Sequence, residues 1–190
     1  MRKSLISFAA MAAVLLAFPQ AHAQQPEKKI PVPADYREWV YMTSGLDMTY
    51  AAAASPHTGP SVFDNVFVNP EAWRTFKQTG TWPDGTTFVL ENRMAEQNVS
   101  ISRGGHTQGH AIDGIELHQK RAGQWAFYVL DKDGTEHLVA KPAGCYTCHE
   151  AHAAVDTTFV QFYPTALPVA KAQNTISKAY LTELATPPAK

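Results

Sequence analysis

The 190-residue chain contains only two cysteines, three positions apart, with a histidine directly behind the second: Cys145-Tyr146-Thr147-Cys148-His149. On a helix, positions i, i+3 and i+4 share a face, so both thiols and the imidazole can be presented together to one flat group. Cys-x-x-Cys-His is the attachment pattern of haem c. The thiols add to two vinyl groups as thioethers, and the histidine falls under the iron as an axial ligand. On this reading Cys145, Cys148 and His149 bind one covalently attached haem c, with His149 as the metal ligand. Two other chemistries use a Cys-x-x-Cys pair. A redox disulfide of thioredoxin type sits in a βαβ pattern, which is not found around these residues. A zinc site needs a second ligand pair at suitable spacing, and His137 and His152 complete no recognised finger.

The other side of such an iron is less legible. A cytochrome c that only carries electrons fills the sixth position with Met or a second His. The candidates are Met42, Met48, Met94, His57, His106, His110, His118, His137 and His152. None lies in a segment that announces a ligand loop, so the sequence pattern leaves the coordination number open.

Export agrees with covalent haem. Arg2 and Lys3 precede the apolar run Leu5 to Phe18, and Ala21-His22-Ala23 has the small-x-small form of a signal-peptidase site. Residues 1–23 are therefore expected to be a signal peptide, cleaved after Ala23 to leave a periplasmic protein. Removing Arg2 and Lys3 from 16 basic residues leaves 14 against 17 acidic. That balance excludes the basic footprint of a nucleic-acid binder. The 167 residues remaining suit one domain with a sizeable core.

The elements that must position the motif follow from the pattern. Residues 24–34 read as a flexible lead-in, 35–171 as the haem domain and 172–190 as a mobile tail. Asp35 to Trp39 suggests a helical turn, leading into a strand over Val40 to Ser44. A loop over Ala51 to Pro60 precedes a strand over Ser61 to Val68. Asn69, Pro70 and Glu71 open a helix that Gly80 stops. A strand follows from Thr86 to Arg93, then a polar, glycine-rich loop from Met94 to Gly109. Ile112 to Gln119 and Gln124 to Asp131 are strands, with a turn at Lys132-Asp133-Gly134 and a short returning strand over Glu136 to Ala140. Pro142 to His152 is helical and carries the cysteines. The fold class is α+β: a mostly antiparallel sheet packed with a few short helices.

In these segments the chain resembles the cytochrome P-460 and cytochrome c′-β family. The matching stretches are YREWV at 36–40, VFVNPEAW at 66–73, FKQTG at 76–80, DGT at 84–86, WAFYV at 125–129, CYTCH at 145–149 and VQFYP at 160–164. The resemblance implies a β-rich homodimer with one five-coordinate haem c, open to small ligands such as nitric oxide, carbon monoxide or hydroxylamine. A periplasmic redox protein is a further expected partner. In the hydroxylamine-oxidising branch a lysine cross-links to the porphyrin. The matching position here is Leu90, and the strand holds no lysine, which favours the gas-binding c′-β branch. Lys77, the other lysine nearby, reads as a solvated end-of-helix cation.

Alternation puts Phe88 and Leu90 on one face of their strand, with Val89 and Glu91 on the other; with Leu90 in the lysine's place, the resemblance implies that the pair forms an apolar lid beside the haem. Glu116 matches the distal carboxylate that the P-460 enzymes use as a proton acceptor. By pattern alone it is a solvent-face residue, sharing a face with Gly114 and His118. The expectation is a mono-haem cytochrome that binds nitric oxide or a related ligand. P-460-type oxidation of hydroxylamine and simple electron transfer are the alternatives.

Overall fold

The computed structural model of the chain describes residues 32–48, 59–131 and 133–186. The expected signal peptide, most of the lead-in, His57 and Lys132 lie outside these residues. Six strands form one antiparallel sheet in sequence order: β1 (Val40–Leu46), β2 (Val62–Val68), β3 (Thr87–Glu96), β4 (Thr107–Arg121), β5 (Gln124–Leu130) and β6 (Glu136–Leu138). Helices α1 (Pro70–Thr79), α2 (Gly144–His152), α3 (Leu167–Ala172) and α4 (Lys178–Ala185) complete the fold, with 3-10 turns at Tyr36–Glu38 and Val160–Phe162. The class is α+β, as expected. Every strand pairs with its neighbour in sequence, so no crossover connection is required.

Helix α1 begins and ends where its residues demand. Pro70 fits the first turn, and Gly80 takes φ +70° while its N–H donates to the Phe76 carbonyl at 2.7 Å. Asn69, expected as a side-chain cap, instead accepts the Thr87 N–H at 2.8 Å, tying the helix start to β3. Below it Phe76 stacks on Trp82 at 3.9 Å, and Trp82 meets Phe88 edge-on at 4.8 Å.

Two segments differ from the sequence reading. The loop expected over Met94 to Gly109 is shorter, because β3 continues to Glu96 and β4 starts at Thr107. Ladder pairing of Ala95 with Gln108 and Glu96 with Thr107 overrides weak local propensity, aided by register shifts beside Arg93. The segment read as a mobile tail carries α4, so residues 172–186 belong to the fold. Ser177 caps α4 by accepting the Tyr180 N–H, and its own hydroxyl and N–H donate to the Ala153 and Ala154 carbonyls. Ile176 and Tyr180 pack on the main core.

The two sheet faces are both apolar but differently covered. One lies under α1, α3 and the Val160–Phe162 turn, with Phe76, Trp82, Phe88, Trp125 and Val155 in its core. On the other, Tyr36, Val89 and Leu117 form a smaller cluster. Glu91 is buried there at 2 % exposure. Its carboxylate accepts from the Tyr36 hydroxyl, from Arg93 and from Arg37, the last at 2.6 Å. Burial pushes the Glu91 pKa up. The hydrogen bonds from Arg93 and Tyr36 and the two guanidinium charges together outweigh it and hold the group below its ordinary value.

Candidate functional site

The register places three rows of side chains across the covered face. Val68, Phe88, His118 and Phe127 align in the first, Val66, Leu90, Glu116 and Val129 in the second, and Gly45, Asp64, Asn92 and Gly114 in the third. Over these rows opens a cavity of about 330 Å3, closed on its far side by His149, Phe159, Phe162 and Tyr163. Phe88, Leu90, Glu116 and His149, four residues singled out from the sequence, all line it. Glu116 is therefore on the cavity side, where the pattern alone read solvent.

Helix α2 brings the motif to this cavity. The buried Tyr146, between the cysteines, anchors the helix to the sheet. Its hydroxyl accepts the Phe127 N–H at 3.3 Å and donates to the Val139 carbonyl at 3.1 Å. Both thiols are free, Cys145 exposed and Cys148 half-buried. The His149 ring is packed by Phe159 at 4.1 Å, Phe127 at 4.6 Å and His118 at 5.1 Å. Its Nδ1–H donates to the Thr157 carbonyl at 2.7 Å, which leaves the Nε2 lone pair able to bind a metal. Burial lowers its pKa, with the Thr157 hydrogen bond opposing, so the ring is neutral and able to ligate at pH 7.

The cavity is graded from end to end. Near His149 it is aromatic. His118 lies flat on Phe127, with ring centres 4.0 Å apart and planes 11° from parallel. Burial, and then the neighbouring His149, depress its pKa far below normal. At the other end stand Thr43, Asp64, Asn92 and Glu116. Asn92 donates to Asp64 at 2.6 Å. Glu116 is exposed to the open cavity, yet the surrounding protein desolvates it and raises its pKa, with the Asp64 charge adding to the effect. Asp64 is raised too, chiefly by burial, against the Asn92 hydrogen bond.

The family model described as Cytochrome P460 matches residues 33–160. The chain belongs to the cytochrome P460 family. No curated protein matches the chain. Family membership makes this a haem c cytochrome, and the residues present fit that cofactor. An oriented imidazole faces the aromatic end of the cavity, two free thiols stand on the same helix, and the buried His118 Nε2 and Thr157 Oγ1 have no hydrogen-bond partner in the polypeptide. Among the described residues no three His, Cys, Asp or Glu side chains gather as a metal cage, so the zinc alternative finds no ligand set.

The sixth-ligand candidates separate clearly in this P460 chain. Met42 is in the core, His106 and His110 are exposed, and His137 and His152 pair with Asp131 and Glu183. Met94, on β3, is not among the residues lining the cavity, whereas Met48 is. His118 lies there too, its ring centre 5.1 Å from that of His149. No lysine lines the cavity among the described residues, and Lys77 sits exposed over the Trp73 ring at 5.9 Å. Sequence reasoning missed the Thr157 carbonyl and Asp64. The first is a backbone atom and left no signal. The second shared a strand face with Val66 and could have been found by alternation.

Proposed function

We propose that this chain is an exported, periplasmic mono-haem cytochrome that binds small uncharged ligands, nitric oxide or a relative, at an open iron position. Cys145 and Cys148 hold the haem as thioethers and His149 is the axial ligand. The bound haem supplies an iron centre to which a diatomic molecule can attach. The polypeptide orients it: Thr157 fixes the imidazole, Phe127 and Phe159 wedge it, and Phe88 with Leu90 keep the ligand's side apolar. The observation that carries the reading is the cavity itself, with His149 at one wall and Phe88 and Leu90 on another; by the resemblance, Leu90 stands where the cross-linking branch has its lysine. Nitric oxide capture, transport or detoxification, with a periplasmic redox protein resetting the iron, is the corresponding role.

The optical spectrum of the ferrous, haem-loaded protein tests this. An ordinary high-spin c-type spectrum that takes up carbon monoxide is the expected result. A strongly red-shifted Soret band would mean a cross-linked porphyrin and overturn it. Glu116 favours a second reading, P-460-type oxidation of hydroxylamine, because a carboxyl with a raised pKa in the cavity suits a proton acceptor. Hydroxylamine turnover that vanishes in Glu116→Ala would establish that reading instead. Met48 keeps electron transfer in view, since it lines the cavity. A low-spin ferrous spectrum that becomes high-spin in Met48→Ala would decide for it. A homodimer is also proposed, across the sheet face where Tyr41 is 54 % exposed beside Phe67. Sedimentation of the holoprotein tests it.

A further inference from the structure

The residues that grip His149 are themselves held in an unusual way. Val155 and Thr158 face each other as an isolated antiparallel bridge, and the Thr158 N–H donates to the Val155 carbonyl at 2.7 Å. Between them Asp156 has φ +47° and Thr157 φ +55°. Two consecutive positive φ values belong to a type I′ turn, which normally takes Asn, Asp or Gly. Asp tolerates the left-handed region, but β-branched Thr is an outlier there. The Thr157 hydroxyl is also buried without a partner. Local preference therefore works against the one turn whose carbonyl holds the axial histidine, and something outside the turn must keep it.

Two tethers do so. Lys120 on β4 places Nζ 2.6 Å from Asp156 Oδ2 and 2.8 Å from the Trp82 carbonyl, with its side chain only 15 % exposed. The fully buried Trp82 donates its indole N–H to Thr158 Oγ1 at 2.9 Å. We infer that Lys120 and Asp156 are positioning residues for the axial ligand: their ion pair holds the left-handed turn so that the Thr157 carbonyl accepts from His149 Nδ1. A hydrogen bond at Nδ1 makes the imidazole a stronger donor to its metal and sets its rotation. The tether thus reaches the iron through three groups without touching it. The inference rests on His149 being the axial ligand.

Resonance Raman spectroscopy of the ferrous holoprotein reads the iron–imidazole stretch directly, and the reduction potential gives a second readout. Lys120→Met and Asp156→Ala should each move the stretching band to lower frequency and raise the potential, while Lys120→Arg keeps both at the parent values. Glycine accepts positive φ without strain, so Thr157→Gly, which keeps the backbone carbonyl and removes the disfavoured β-branched side chain, should hold the turn with no tether. Lys120→Met combined with Thr157→Gly should then return the band to its parent position, a rescue that loss of a purely structural salt bridge would not give. Folded Lys120→Met and Asp156→Ala proteins with unmoved band and potential would overturn the inference. If Lys120→Met does not fold, an unmoved band in Asp156→Ala alone overturns the inference. A parent protein with no iron–imidazole band at all would instead overturn the assignment of His149.

Discussion

The two ends of the cavity are built on opposite terms. At the His149 end every ring is held from several sides: Phe127, Phe159 and His118 pack the imidazole, Thr157 orients it, and Tyr146 locks its helix to β5. At the other end Asp64 and Asn92 stand in a row that begins and finishes in glycine, Gly45 and Gly114. A side chain at Gly114 would meet Asn92 Oδ1 at 3.3 Å and one at Gly45 would run into Met48 Sδ, so the row takes glycine where Asn92 and Met48 come close. One register thus supplies a rigid floor for a cofactor and an open, polar mouth, by placing aromatic residues in one row and small ones two rows away. On the proposed function, binding the haem and admitting its ligand can be altered separately.

The largest test of that separation is His149→Gly. It should abolish the axial bond and the parent spectrum while leaving the thioether attachment in place, and added imidazole should restore the spectrum. Retention of the parent spectrum without imidazole would mean that another residue ligates. Phe88→Ala comes next. Phe88 is 3 % exposed and touches Trp82, His118, Trp125 and Tyr163, so emptying its site should cost about 3–5 kcal/mol in chemical denaturation. Leu90, half-buried in the next row, should cost about 1–2 kcal/mol as Leu90→Ala, less than a fully buried leucine. Equal losses at the two positions would remove the distinction between floor and mouth.

Thr157→Gly should have a smaller and opposite effect. It relieves a left-handed β-branched residue and deletes an orphaned hydroxyl, against the extra freedom glycine gives the unfolded chain. The balance is a gain of about 1 kcal/mol, visible as a melting temperature a few degrees higher. A lower melting temperature would show that Thr157 makes contacts in the holoprotein that outweigh its strain.

The rigid end was the more legible in the sequence. Attachment chemistry fixes Cys145, Cys148 and His149 at one spacing, and alternation alone placed Phe88 with Leu90 and apart from Glu91. Helix α1 was readable because Pro70 and Gly80 mark its ends for local steric reasons. The mouth was harder. Alternation in β4 set Glu116 opposite Ile115 and Leu117 and so read it as solvent-facing, because the cavity that opens over its face is built by distant segments. Its place was settled only by pairing with Leu90 on one side and Val129 on the other. The type I′ turn was invisible because Asp156-Thr157 lacks the glycine that marks such turns, and what stabilises it is Lys120, 36 residues away. Helix α4 is held by Ser177 and by packing on distant elements, neither of which a polar, proline-ended tail announces.

The smallest expected effect is a pH dependence at the mouth. Enclosure and the Asp64 charge raise the Glu116 pKa in the folded protein. Between the ordinary carboxylate value and that raised value, the folded chain keeps a proton which the unfolded chain has released. Stability therefore falls as pH rises through this window and levels off above it. Glu116→Gln removes the titration, so the variant should match the parent in acid and melt higher at neutral pH. The difference is small because the carboxylate is exposed to the cavity's water. Asp64→Asn should lower the Glu116 pKa and shrink the advantage of Glu116→Gln when the two are combined. Melting temperatures of the four proteins at pH 3.5 and 7.5, chosen to lie about one unit below and three above an ordinary carboxylate, read this out. Glu116→Gln melting lower than the parent at pH 7.5 would mean that the ionised carboxylate is stabilised in the mouth, as it would be if a cationic group from outside the described residues faced it.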